Sequence, residues 1–120
     1  FQLFATAPRL KPHTIHRCVT ALIQHDAHDS GLTATDVPGW HWFNGQPVNY
    51  RPGILPRSQD AACIVRETTG LYGIRREALH KYHQRIGARP LFVFVDPSEA
   101  ADIDTESDLV AARAIAEAAQ

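Results

Sequence analysis

The residues Pro90-Leu91-Phe92-Val93-Phe94-Val95 form an uninterrupted apolar run, which Asp96-Pro97 brings to an end. Every side chain from 91 to 95 is apolar, so a strand over these residues has no polar face to turn to water. Such strands are typical of sheets that helices cover on both faces. We therefore predict a central strand of an α/β sheet over residues 91–95.

Strand and helix patterns alternate along the rest of the chain. They predict further strands over 1–6, 32–37, 64–67 and 71–74, and helices over 13–25, 75–86 and 106–119. We expect Asp29-Ser30-Gly31 to end the first helix, and the last helix to turn these side chains inward: Leu109, Val110, Ala112, Ile115 and Ala116. The alternation predicts a layered α/β sheet. Ligands of such sheets bind beyond the carboxyl ends of the strands, which here means the loops 6–12, 57–70 and 96–104.

The segment 38–56 differs in composition from its surroundings. It holds Trp40, Trp42, Phe43 and Tyr50 together with four prolines and three glycines. Asn44-Gly45 is a strong hairpin-turn signal, so we predict a hairpin with arms at 40–43 and 47–50. An aromatic hairpin of this kind contacts a partner or packs on its own sheet, and the sequence leaves both open.

The bulk composition limits the classes of function. A chain of 120 residues with 44% hydrophobic and 21% charged residues fits one modest domain or a piece of one. Its net charge of -1 gives no basic field for nucleic acid, and no apolar run is long enough for a membrane span. Cys18 and Cys63 form no metal-ligand pair, and we expect reduced core cysteines of a cytoplasmic protein. Because Phe1 begins what looks like a strand in progress, we expect it to lie inside a larger domain.

The closing segment Asp102-Ile103-Asp104-Thr105-Glu106-Ser107-Asp108-Leu109 supports two interpretations. Two carboxylates one residue apart, at Asp102 and Asp104, are suited to hold Mg²⁺ together with water and substrate oxygens. In the second interpretation Thr105 is a helix N-cap and Asp108 completes a capping box. The capping box accounts for Thr105 and Asp108 but does not require both Asp102 and Asp104.

Two other patterns are less specific. Arg57, in Arg57-Ser58-Gln59-Asp60, is suited to a phosphate or carboxylate, but it equally suits an ordinary surface ion pair. Several histidines are three residues apart, although no set of cysteine, histidine and carboxylate completes a zinc site; the pairs are His13 with His16, His25 with His28, and His80 with His83. Thr6-Ala7-Pro8-Arg9 follows the first strand, where hydroxyl and amide groups either face a ligand or form a plain turn.

Three segments in order resemble the acylneuraminate cytidylyltransferase family, which makes CMP-activated sialic acids and related keto-sugar acids. Thr6-Ala7-Pro8-Arg9-Leu10 is similar to the family's Thr-Ser-Pro-Leu-Arg turn. Arg57-Ser58-Gln59-Asp60 and then Thr69-Gly70-Leu71-Tyr72 are similar to its Arg-Arg-Gln and Asn-Gly-Ala-aromatic segments. The segment from Asp102 to Leu109 looks like its closing Asp-Ile-Asp-Thr-x-x-Asp-Leu run.

The resemblance implies the C-terminal half of a three-layer, Rossmann-like nucleotidyltransferase sheet, with residues 1–120 as part of one domain. It implies a homodimer in which the aromatic hairpin at 38–56 is the dimerisation arm. The implied reaction transfers CMP from CTP to an acidic 2-keto sugar, with Mg²⁺ as cofactor and pyrophosphate as product. The implied residues are Asp104 and Arg57 in catalysis, Asp102 and Asp104 at the metal, and, for the substrate, Thr6, Gln59, Thr69 and Tyr72.

This sequence departs from the family at several positions that face the sugar. Phe4 replaces a glutamine of the family, Ser58 replaces an arginine and Thr69 replaces an asparagine. The position of the family's tyrosine is occupied by Gly73, and Tyr72 lies one residue before it. The family's glycine-rich nucleotide loop is missing from these residues. The departures favour a different acceptor or a loss of activity, so the alternative is a non-catalytic binding and dimerisation module. A third hypothesis, a histidine-rich metal-binding module, predicts stoichiometric zinc.

Overall fold

The computed structural model describes residues 1–118. The main strands are β1 (Gln2–Leu3), β2 (Ser30–Val37), β5 (Ile64–Ile74) and β6 (Pro90–Phe94). They form one mixed sheet in the order β1-β5-β2-β6, in which β5 is antiparallel to β1 and β2 while β6 is parallel to β2. A hairpin between β2 and β5 contains β3 (Trp42–Phe43) and β4 (Gln46–Pro47). The helices are α1 (Pro12–Gln24), α2 (Arg76–Tyr82) and α3 (Glu106–Ala118).

Helix α1 covers one face of the sheet and forms the core with it. Pro12 occupies the first turn, where a missing N–H costs nothing, and the apolar stripe of the helix follows. The core consists of Cys18, Leu22, Leu71 and Val93. Gly31 permits the close approach of the helix, because a Cβ at that position would lie 2.9 Å from the Cys18 sulfur. A mixed fold of helices and one four-stranded sheet is therefore confirmed, as is the predicted first helix.

The apolar strand β6 is at an edge of the sheet, so the prediction of a central strand is wrong. Val93 is buried against the α1 layer, but Phe92 and Phe94 on the opposite face are each 42% exposed. Their rings lie 6.5 Å apart and form an open apolar patch. An all-apolar run indicates that both faces of a strand are apolar. It does not indicate whether the strand has a neighbour on one side or on both sides in the sheet.

Strand β5 runs unbroken through residues that the sequence analysis divides into two strands. Leu32 pairs with Tyr72, yet Ala34 pairs with Glu67, so the four residues 68–71 of β5 oppose Thr33 alone. The apparent turn at Thr68-Thr69-Gly70 is a large β-bulge. A bulge interrupts the two-residue alternation without ending the strand, which explains the wrong prediction.

Several other boundaries differ from the predictions. Strand β1 covers two of the six residues expected, and Ser30-Gly31 begins β2 instead of ending the first helix. Helix α2 ends at Tyr82, because His83 takes the left-handed conformation with φ 53°. Cys18 is buried as predicted, but Cys63 is exposed.

Helix α3 forms as predicted, but the prediction that it buries an apolar face is wrong. Within the part of α3 that the structure describes, no residue is buried, and Val110 and Ile115 are 57% and 41% exposed. Position 119, the last of the predicted helix, lies outside the described residues. Within residues 1–118, no helix combines the length and the apolarity needed to cross a bilayer.

Asp29 fixes the place of β6 beside β2. Its buried carboxylate accepts hydrogen bonds from the backbone amides of Ala88 and Arg89, each at 3.0 Å, and from the Ser30 hydroxyl. The Ser30 hydroxyl in turn accepts a hydrogen bond from the Gly87 amide at 2.9 Å. The loop before β6 is thus anchored at the start of β2, which sets the parallel pairing of the two strands.

Candidate functional site

The bulge in β5 is held together by one threonine hydroxyl. Thr33 Oγ1 accepts hydrogen bonds from the Thr68 hydroxyl at 2.7 Å and from the Leu71 amide at 3.2 Å. It also lies 3.4 Å from the Thr68 carbonyl oxygen, to which it donates. This buried hydroxyl replaces the strand-to-strand bonds that the bulge removes. The residue at the middle of the bulge, Thr69, is then free to interact outside the sheet.

Thr69 donates a hydrogen bond to Oδ2 of Asp102, on the segment that follows β6. The adjacent amide of Ile103 donates to the Thr6 carbonyl oxygen at 2.9 Å, which ties this segment to the loop after β1. Asp102 Oδ1 is buried and, among residues 1–118, has no hydrogen-bond partner. Thr6, Thr69 and Asp102 belong to the three segments expected to surround a ligand, 6–12, 57–70 and 96–104, although Thr69 lies in β5 and not in a loop.

The Asp102 carboxylate is electrostatically poised to stay ionised. The hydroxyl of Thr69, and after it that of Thr6, lowers the pKa of Asp102 below its usual value, although burial acts in the opposite direction. A carboxylate that accepts hydrogen bonds is stabilised in its charged form. Asp102 therefore presents a negative charge with one oxygen still uncommitted.

A cavity of about 450 Å³ opens beside this carboxylate. Arg66, Thr69, Asp102 and Asp104 contribute polar side chains, and the cavity is completed by Glu67, Thr68, Pro97, Ala100 and Ala101. Its volume is in the range of small-molecule sites. The charged lining, with one guanidinium and three carboxylates, suits a polar ligand or a cation better than an apolar one.

The capping-box interpretation of the closing segment is confirmed as well. The Thr105 amide donates to Asp108 Oδ2 at 2.8 Å, and the Asp108 amide donates to Thr105 Oγ1 at 3.3 Å. The Asp104 amide also donates to Asp108 Oδ2, at 3.3 Å. Asp108 thus caps the N-terminus of α3. The side chains of Asp102 and Asp104 take no part in the cap and line the cavity.

The structure does not bring all of the predicted site residues together. Arg57 is exposed and pairs with Asp60 at 2.6 Å, and Gln59 lies in the same exposed turn, away from the cavity lining. Tyr72 is 1% exposed within the sheet and donates to Glu67 at 3.2 Å. Thr69, Asp102 and Asp104 line one cavity, and Thr6 adjoins Asp102.

Sequence analysis missed Arg66 and Glu67, which line the same cavity. Both lie in a predicted strand, where charged residues are ordinarily assigned to a solvent face. It also missed Thr33, whose hydroxyl organises the bulge. The one available signal was the Thr68-Thr69-Gly70 break in an otherwise strand-like pattern, which reads equally well as a turn.

The predicted hairpin at 38–56 is present and its base is firmly attached. Asn44 and Gly45 have φ of 49° and 75°, the positive values that a two-residue hairpin turn requires. The Asn49 side chain accepts from the His41 amide and donates to the Gly39 carbonyl, and Trp40 Nε1 donates to the Pro56 carbonyl. Apolar side chains remain exposed along it, namely Trp42, Phe43, Val48, Ile54 and Leu55.

Comparison with known proteins adds no family to these observations. No protein-family model matches the sequence, and no curated protein shows significant similarity to it. The resemblance of the three segments to cytidylyltransferases therefore stays a prediction, and the geometry of the cavity has to be interpreted by its own chemistry.

Proposed function

We propose that this chain is the acceptor-binding and dimerising part of a cytidylyltransferase that resembles the acylneuraminate family. The reaction transfers CMP from CTP to an acidic 2-keto sugar. The observation that carries the proposal is the Thr69–Asp102 pair, which holds an ionised carboxylate in the lining of a cavity shared with Asp104. The sheet is proposed to be the C-terminal half of a three-layer, Rossmann-like domain.

Mg²⁺ is the proposed cofactor, and the residues present fit it. This ion binds through one or two carboxylates and fills its remaining positions with water and phosphate oxygens. Asp102 and Asp104 each contribute a carboxylate to the lining of the same cavity, and Asp102 Oδ1 has no hydrogen-bond partner among residues 1–118. When bound there, Mg²⁺ would neutralise charge that develops on the CTP phosphates.

The protein side chains have separate tasks in the proposed reaction. Thr69 keeps Asp102 ionised and oriented, and the backbone bond to Thr6 holds the segment that carries it. Arg66 provides the cavity's positive charge, which suits the carboxylate of the sugar acid. The 2-hydroxyl of the sugar attacks the α-phosphorus of CTP, its proton passes to a base, and the bond to pyrophosphate breaks.

The hairpin at 38–56 is proposed to be the dimerisation arm of a cytoplasmic homodimer. Its base is held by hydrogen bonds while its apolar side chains are exposed, as an arm that docks on a second subunit requires. In such a dimer the exposed turn with Arg57 and Gln59, directly after the arm, contributes to the rim of the partner's sugar pocket. No contact with nucleic acid or membrane is proposed.

The test is pyrophosphate release by the natural polypeptide that contains these residues, with CTP, Mg²⁺ and a panel of keto-sugar acids. We expect Mg²⁺-dependent release that falls by about 100-fold or more in Asp102→Asn and in Asp104→Asn. Glu117→Gln, on the exposed surface of α3, is the control and should retain full activity. Release that is unchanged in Asp102→Asn would contradict the proposal.

A non-catalytic binding and dimerisation module is the second candidate. The burial of Tyr72 and the ion pair of the exposed Arg57 favour it, because neither residue reaches the cavity within one chain. This candidate predicts a dimer without pyrophosphate release from any acceptor. It also predicts that Asp104→Ala changes nothing but stability.

A further inference from the structure

A second cavity, of about 320 Å³, lies beside α2 and the start of the chain. Its lining is mostly apolar, with polar groups at one side, and consists of Phe1, Gln2, Tyr72, Ile74, Leu79, His83, Gln84 and Arg85. None of these residues lines the cavity at Asp102. The two cavities are therefore separate sites, and the inference that follows does not depend on the proposed transferase reaction.

Arg85 is held over an aromatic pair at the edge of this cavity. Its Cζ atom lies 4.3 Å from the centre of the Tyr72 ring and 5.5 Å from that of Phe4. The two rings are in edge contact, with centres 6.0 Å apart. Stacking on aromatic rings restricts the orientation of a guanidinium, which can still donate hydrogen bonds from its N–H edges.

The charge of Arg85 is not neutralised within the described chain. Among residues 1–118, salt bridges involve Lys11, Arg57 and Arg75, but none involves Arg85. Glu67, the acid that adjoins this cluster, accepts the hydrogen bond of the Tyr72 hydroxyl instead. A preorganised and unpaired guanidinium in a concave site is suited to bind an anion in bidentate geometry.

The surroundings of Arg85 reinforce its selectivity for negative charge. Among the residues that line this cavity none is a carboxylate, so no acid of the lining competes with a ligand for Arg85. The apolar wall of this cavity, formed by Ile74 and Leu79, would stay in contact with water if the anion were purely inorganic. The cavity thus matches a ligand with two unlike parts.

We propose that this cavity binds a small organic carboxylate, with the carboxylate on Arg85 and an apolar body against Ile74 and Leu79. The planar guanidinium supplies two parallel hydrogen bonds, and the apolar wall contributes the hydrophobic part of the affinity. Since Arg85 is already oriented by the two rings, binding loses little side-chain entropy.

The experiment is an amide NMR titration of the full chain with phenylacetate, 2-phenylethanol and inorganic phosphate, at fixed pH and ionic strength. We expect saturable phenylacetate shifts at residues 72–74 and 83–85. The neutral alcohol lacks the charge and phosphate lacks the apolar body, so each should bind at least about tenfold more weakly. Equal binding of 2-phenylethanol, or the absence of saturable phenylacetate shifts, overturns the proposal.

Substitutions separate a ligand site from a merely structural arginine. Arg85→Gln should weaken phenylacetate binding by about tenfold or more, while Arg85→Lys, which keeps the charge but loses the planar fork, should weaken it less. Arg113→Gln, which removes an exposed arginine from α3, is the matched control and should bind like the original chain. If Arg85→Gln does not fold, Arg85→Lys decides, and affinity unchanged by that substitution contradicts the bidentate geometry.

Discussion

At the scale of single residues, threonine hydroxyls decide much of the local structure. Thr33 and Thr35 lie two residues apart on β2, and both are buried. Thr33 Oγ1 accepts hydrogen bonds from the Thr68 hydroxyl and the Leu71 amide, whereas Thr35 Oγ1 has no hydrogen-bond partner among residues 1–118. Two chemically identical side chains in the same strand therefore have opposite energetic roles.

Valine substitution at these two positions should give opposite results. Thr33→Val leaves two buried donors in the bulge unpaired and should lower the free energy of unfolding by about 2–3 kcal/mol. Thr35→Val removes an unpaired buried hydroxyl and should be neutral or slightly stabilising. Urea denaturation of both variants measures the difference, and a similar loss in both would show that the bulge does not depend on Thr33.

The Thr69–Asp102 pair gives a second prediction, with a defined pH dependence. Because the Thr69 hydroxyl is the main cause of the lowered pKa of Asp102, Thr69→Val should raise that pKa. The original chain should then be more stable than the variant by about 1–2 kcal/mol at pH 7. A group with a lowered folded pKa stabilises above its unfolded value, so this difference should begin to shrink below about pH 4 and disappear as pH falls through the lowered folded pKa.

Carboxyl ¹³C titration by NMR and urea denaturation at pH 7 and pH 3 measure the two effects. Thr20→Val, the same substitution on helix α1 outside the cavity lining, is the control and should leave the Asp102 titration unchanged. A stability difference that is as large at pH 3 as at pH 7 would mean that the Thr69 hydroxyl acts through packing and not through the carboxylate.

At the scale of elements, α3 depends on its cap to an unusual degree. Within residues 106–118 it has no buried residue, so burial of an apolar face does not hold its first turn. Most helices of this length are stabilised by such burial and are marginal without it. The reciprocal bonds between Thr105 and Asp108 therefore account for the point at which this helix begins.

Removing the cap should loosen α3 without affecting the sheet. In Thr105→Ala we expect hydrogen-exchange protection of amides 109–113 to fall by about fivefold, since the first turn loses an acceptor. Protection in β2 and β5 should not change. Loss of protection in the sheet as well would show that α3 is coupled to the core.

At the scale of the whole molecule, Asp29 connects the start of β2 to the loop that precedes β6. Burial by itself raises the pKa of Asp29. The hydrogen bonds from the Arg89 amide, the Ser30 hydroxyl and the Ala88 amide lower it by more, so the pKa of Asp29 lies below its usual value. The Arg75 guanidinium adds a second connection, with hydrogen bonds to the Leu22 carbonyl oxygen near the end of α1 and to the His28 carbonyl oxygen in the loop before β2. Together these bonds join α1, β5 and β6.

The lowered pKa of Asp29 predicts the acid side of the stability profile. Its stabilisation is present above about pH 4 and is lost as pH falls below that value, so the melting temperature should be flat near neutrality and decline in acid. Asp29→Asn places an amide group against backbone donors and should lower the melting temperature at pH 7 by at least about 5 °C.

The matched control is Asp26→Asn, three residues earlier. Asp26 is 98% exposed and pairs with Arg75 at 3.1 Å, and exposed pairs of this kind contribute little. Its melting temperature should stay within about 2 °C of the original at every pH. An Asp29→Asn profile that keeps the full acid decline would assign that decline to other carboxylates.

Short-range patterns were sufficient for the parts of the fold that depend on neighbours in sequence. Helix α1, the Asn44-Gly45 hairpin and the Thr105 cap follow from apolar spacing, turn chemistry and side-chain hydrogen bonding over a few residues. The segments 6–12, 57–70 and 96–104, which contain the residues that meet at Asp102, were also predicted, but Thr69 lies within strand β5 and not in a loop. These features form wherever the same few residues occur together, so no knowledge of distant contacts is required.

Long-range pairing decided the rest. The sequence does not show that β6 lies at an edge, because an apolar strand has the same pattern beside one neighbour or two. It does not show that Thr69 meets Asp102 or that Arg85 stacks on Tyr72, because each pair depends on a register of strands and loops set elsewhere. The bulge opposite Thr33 is the clearest case: one hydroxyl 35 residues away converts an apparent turn into a continuous strand and so creates the site.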